Sequence, residues 1–140
     1  MSKATTPHVR GRQPRIGLRM LLAAGIVAVP TCLISYLLFI GVAAQVNVGI
    51  TTHDLVAGLI GFVLSLLGGV VVRRYAFLAV AAALHALWWS LAIHHLLRVM
   101  AIATLLDVLH WNAAAILYGL FAVVAGAWLG VTYGRRLLGD

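Results

Sequence analysis

Four of the chain's six histidines fall between Leu84 and Asn112, in the stretch LHALWWSLAIHHLLRVMAIATLLDVLHWN. His85, His94, His95 and His110 share it with Trp88, Trp89, Trp111, Arg98 and Asp107. Neutral imidazole is a common ligand for zinc, copper and iron, and supplies axial ligands to haem. His85, His94, His95 and His110 are therefore the candidate cofactor-binding residues, with haem or a transition metal as the candidate cofactor. His53 and Asp54 stand ahead of another apolar run and extend the set.

Helical spacing sorts these groups by depth. At about 1.5 Å per residue, counted from the arginine and tyrosine markers at the other end, His53, His94, His95 and His110 come out about 28–35 Å from the inner boundary. That is the outer interface, where water and headgroups solvate an imidazole and a histidine needs no further reason. His94 and His95 diverge by about 100° on a helix, and His110 lies about 160° from the glycine face of its own helix. No H-E-x-x-H or comparable ligand spacing is present, so no residues are assigned to a metal site. His85 is different, about 15 Å from the inner boundary and near the bilayer centre. An ionisable residue at that depth is a functional candidate by default. The bland alternative is a neutral ring hydrogen-bonded to backbone or to Ser65; the sharper one is contact with a quinone or haem, on which Trp88 and Trp89 could stack.

The elements that must position these residues are read from composition. The 140 residues are 64% hydrophobic and 9% charged, with a mean hydropathy of +1.07, whereas a soluble domain carries roughly 25% charged residues. Such a chain cannot cover a water-facing surface. The fold class expected is all-α, an integral membrane four-helix bundle with both termini cytoplasmic. Residues 1–15 read as a disordered basic tail, 16–136 as the transmembrane domain and 137–140 as a C-terminal tail. The spans are placed at about 20–44, 55–72, 75–97 and 111–133, each long enough for the roughly 20 residues that cross a bilayer. The first segment exceeds the roughly 7–15 apolar residues of a signal peptide, which favours an uncleaved anchor. Pro30 removes the usual donor to the Ile26 carbonyl, so a kink is expected there, with Thr31 and Ser35 nearby to compensate.

Orientation follows from the basic residues. Lys3, Arg10, Arg12, Arg15, Arg19, Arg73, Arg74, Arg135 and Arg136 fall to one side and Arg98 alone to the other. That positive-inside bias places both termini in the cytoplasm. The net charge of +7 is thereby explained by topology and anionic lipid, not by nucleic acid. Arginine-, alanine- and glycine-rich usage suits a bacterial plasma (inner) membrane protein. One cysteine, Cys32, excludes a disulfide framework and a multi-cysteine metal site.

Two helix starts share the pattern T-x-x-D, Thr51 to Asp54 and Thr104 to Asp107, in which threonine accepts from exposed amides and the carboxylate meets the positive helix end. Small residues recur every four positions at Ala122, Gly126, Gly130 and Gly134, with Ala115 and Gly119 near that face, and at Gly61, Ser65 and Gly69, with Gly58 nearby. Helices in lipid associate by close backbone packing, so the second and fourth spans are expected to form a seam. The competing expectation is that the Gly126/Gly130/Gly134 face receives a membrane-protein partner or a second copy of the chain.

No acid lies centrally, against proton-coupled export, and no nucleophile elbow, phosphate loop or paired carboxylates appear, so no catalytic residue is assigned. The expected function is that of a small non-catalytic subunit or assembly partner of a larger membrane complex. The alternative is a haem- or metal-binding redox membrane protein using the outer histidines.

Overall fold

The computed structural model describes residues 14–41, 49–100 and 102–138. It holds four helices in the order α1 (Pro14–Gly41), α2 (Thr52–Val72), α3 (Ala76–Val99) and α4 (Leu105–Leu138). All four are long and apolar enough to cross a membrane. The disordered tail expected before Arg15 lies outside the described residues up to position 13, as do most of the first connection and residues 139–140.

α2 starts on a complete capping box. The Thr51 hydroxyl accepts from the Asp54 amide at 3.2 Å, and the Asp54 carboxylate accepts from the Thr51 amide at 2.8 Å and its hydroxyl at 2.7 Å. α4 repeats the arrangement with Thr104 and Asp107, at 3.3, 2.9 and 2.6 Å. Both carboxylates thus satisfy amides that have no intrahelical partner. The Thr104 cap also explains why α4 begins at Leu105, well before the expected Trp111. Arginine and leucine are good helix formers, so the helix likewise continues past Tyr133 to Leu138. In α1, Pro30 sits within the helix, and the Thr31 hydroxyl donates to the Val27 carbonyl at 2.6 Å. The Ile26 carbonyl that proline deprives of a donor is therefore not the one Thr31 serves. The compensating role expected of Ser35 falls among side chains outside the described residues.

α2 and α4 run parallel and form the most extensive helix contact. Phe62 with Gly126, Leu66 with Gly130 and Val70 with Gly134 meet in succession, each helix advancing four residues per step. A Cβ on Gly126 or Gly130 would overlap the carbonyl oxygens of Phe62 and Leu66, and one on Gly69 would stand 2.6 Å from the Ala127 oxygen. Only glycine allows backbones this close. The seam lies within the chain, so the Gly126/Gly130/Gly134 face is covered by α2. It is not the open docking face that the competing expectation required.

The buried core lies toward the end where both helices run into arginine. There Ala23 and Val27 of α1, Val72 of α2, Phe77 and Ala81 of α3, and Val123, Ala127 and Val131 of α4 form one buried cluster. Toward the threonine-capped end the small side chains continue but the filling does not.

Candidate functional site

The unfilled half of the bundle is a cavity of about 310 Å³ reached by all four helices. Its origin is legible in helical spacing. Ala81, His85, Trp88, Ala92 and Leu96 occupy one face of α3, while Asn112, Ala115, Gly119 and Val123 occupy one face of α4. α2 brings Ala57, Gly58 and Gly61 to the same space, and α1 brings Val27, Ala28, Thr31 and Cys32. Where alanine and glycine face one another from several helices, no side chain is long enough to close the gap. His53 and Asp54 line the cavity near the capped end.

His85 is the polar centre of this wall. Its Nε2 lies 3.0 Å from the Ile116 carbonyl of α4. A carbonyl oxygen only accepts, so Nε2 carries the proton, and in the uncharged ring Nδ1 keeps the lone pair. The ring occupies the space a side chain on Gly119 would need, since a Cβ there would come within 2.6 Å of Cε1. Trp89 packs edge-on against the imidazole, with centroids 6.5 Å apart and planes at 65°. Of the two bland partners expected for His85, backbone is the one found. Ser65 is fully buried, and its hydroxyl has no hydrogen-bond partner among the described residues.

Of the other histidines, His53 is at the cavity's capped end, while His94, His95 and His110 are not in its lining. His53, His94, His95 and His110 are all exposed. Among the described residues, no three histidine, cysteine, aspartate or glutamate side chains come together as a metal-binding group. The layer expected from helical depth is thus a level and not a cluster, because the residues of a layer still differ in which way they face. Asp54 and Asp107 have their carboxylates engaged in the two caps.

Three residues that line or shape the cavity differ from expectation. Ala115 and Gly119, read as close to the glycine face, line the cavity, with Gly119 against His85. Asn112 was not expected at all; its amide nitrogen donates to the Val108 carbonyl at 2.7 Å, leaving its oxygen as an acceptor. The spacing of Asn112, Ala115, Gly119 and Val123 was the signal available for all three, a face of small residues with one polar member. On the adjoining side Tyr118 lays its ring against Gly58, with its hydroxyl 3.5 Å from the Leu55 carbonyl.

Comparison with known proteins finds no matching family, no matching curated protein and no matching solved structure.

Proposed function

We propose that the chain is a small multi-pass protein of the bacterial plasma membrane, with both termini in the cytoplasm. In this reading it is a non-catalytic subunit or assembly partner of a larger membrane complex, and it holds a membrane-soluble molecule in the cavity beside His85. The cavity carries the proposal. Its volume of about 310 Å³ falls at the lower end of the roughly 300–1,000 Å³ typical of small-molecule sites. Its walls are largely alanine, glycine and leucine, with the flat rings of Trp88 and Trp89 and the imidazole of His85 among them, and with His53 at the capped end. That chemistry suits a ring-bearing, lipid-soluble molecule with a hydroxyl or other donor to offer Nδ1 of His85. The imidazole has a backbone partner on one nitrogen and a tryptophan at its edge, an arrangement that orients a ligand and breaks no bond.

The haem- or metal-binding redox reading is second. It rests on His85 and its neighbours Trp88 and Trp89 in the cavity wall, since His94, His95 and His110 are exposed elsewhere.

Purification in mild detergent tests the proposal. Mass spectrometry should find a stoichiometric membrane-protein partner, and an organic extract should contain a lipophilic molecule that is lost from an Ala115→Leu variant. A chain that elutes alone, with the same extract from wild type and variant, would overturn it. A Soret band or stoichiometric metal would put the second reading first. Labelling of single cysteines introduced before Arg15 and after Arg136 should place both on the cytoplasmic side, and a label from outside at either would reverse the topology.

A further inference from the structure

The corner where α2 turns into α3 holds an arginine in a conformation that suits glycine. Arg73 has φ 57° and ψ 21°, and its amide donates to the Gly69 carbonyl at 2.8 Å to close the helix. Residues at this left-handed cap position are usually glycine, because a Cβ there crowds the following carbonyl. The side chain is also constrained. Its Nε is buried and has no hydrogen-bond partner among the described residues, although a buried guanidinium N–H without an acceptor is unfavourable. Its stem lies over α4, with Cγ 3.2 Å from where a Cβ on Gly134 would stand. The next residue of α4, Arg135, places its guanidinium 5.5 Å from the centre of the Tyr75 ring. Arg74 and Arg136 flank the corner and are exposed. The chain's three acids are Asp54, Asp107 and Asp140. The two that are described cap the opposite helix ends, so the described part of this corner has four cations and no carboxylate.

We propose that Arg73, Arg74, Arg135 and Arg136 form a binding site for the phosphate group of an anionic molecule, with Arg73 as its principal donor. A guanidinium offers two parallel N–H groups that fit phosphate oxygens, a geometry lysine does not reproduce. The strained backbone and the orphaned Nε are both accounted for if the guanidinium is needed at this place. Arg73 directly follows Val70, Val71 and Val72, which puts the site where an apolar helix ends and, in a membrane, where the phosphates of lipid headgroups lie. The site is separate from the cavity and does not depend on what the cavity holds.

The test uses the full chain in uncharged detergent, with thermal melting and native mass spectrometry. The probes are phosphatidylglycerol, cardiolipin, zwitterionic phosphatidylcholine and inorganic phosphate. Wild type should gain several degrees with the anionic lipids and little with phosphatidylcholine. A shift reproduced by inorganic phosphate assigns the site to a free anion; a shift seen only with lipid assigns it to a headgroup. Arg73→Gly should melt higher than wild type without additive, because the left-handed backbone is relieved, and should lose most of the lipid-dependent shift. Arg73→Gln keeps the strained backbone and removes the charge, so it should lose the shift with no gain in baseline. Arg98→Gln, at the other end of α3, should behave as wild type. Equal shifts with zwitterionic and anionic lipid, or a full shift in both Arg73 variants, would overturn the proposal.

Discussion

The imidazole of His85 and the backbone of Gly119 share one space: Nε2 reaches the Ile116 carbonyl at 3.0 Å, and the ring stands where a Cβ on Gly119 would be. This joins α3 to α4 at the edge of the cavity by a side-chain-to-backbone bond. Such a bond contributes about 0.5–1.5 kcal/mol. The glycine has a specific reason to be there, which is to admit a ring.

Gly119→Ala should therefore act through His85. The added methyl must displace the ring, at a cost on the order of 1–3 kcal/mol for overpacking. His85→Ala alone should also destabilise, through the lost bond and the enlarged cavity. In the double variant the methyl meets no ring, so the combined loss should be smaller than the sum of the two. Detergent unfolding of the four proteins gives the cycle; strictly additive losses would mean that the two residues are not in contact.

The α2–α4 seam makes a sharper prediction, because the atoms opposed to its glycines belong to backbone and cannot rotate away. Gly126→Leu and Gly130→Leu should each push the helices apart. The expected loss is at least the roughly 1–3 kcal/mol typical of overpacked sites. Leu117→Ala is the control: Leu117 is 66% exposed on α4, and its truncation should be mild. The measurement is midpoint of unfolding in one detergent, and equal midpoints for all three would remove the seam from the account.

Much of this architecture is legible in the residues. The T-x-x-D pairs mark two helix starts, and both capping boxes form as their spacing requires. The four-residue recurrence of Gly126, Gly130 and Gly134 marks a close helix contact, and α2 meets it. Periodicity cannot say which of several helices a small-residue face will meet, because glycine carries no sign of its partner. Ala115 and Gly119 show this: they sit near the seam on the sequence but meet His85 and the cavity. The start of α4 was missed for a related reason. Asp107, His110 and Asn112 lower local hydropathy without lowering helicity, so a span read from apolarity starts later than the helix does. Depth along a helix placed His94, His95 and His110 together, whereas coordination also needs agreement in azimuth, and that depends on tertiary packing.

The exposed histidines carry the last prediction. His94 and His95 lie near the end of α3 and His110 near the start of α4, all three exposed and in no metal-binding group among the described residues. Replacing all three by glutamine keeps hydrogen-bonding capacity and similar reach but removes good transition-metal ligands. The triple variant should fold, insert and associate like wild type, and any molecule held beside His85 should stay bound, because the cavity wall is untouched. Size-exclusion profile, unfolding midpoint and the organic extract of the variant against wild type read all of this directly. Release of a metal or bleaching of a haem in the triple variant, with topology unchanged, would show that the outer layer is the active centre. The redox reading would then displace the subunit reading. Loss of the cavity ligand in His85→Leu, with the triple variant intact, would instead locate the chemistry of this protein at His85, between α3 and α4.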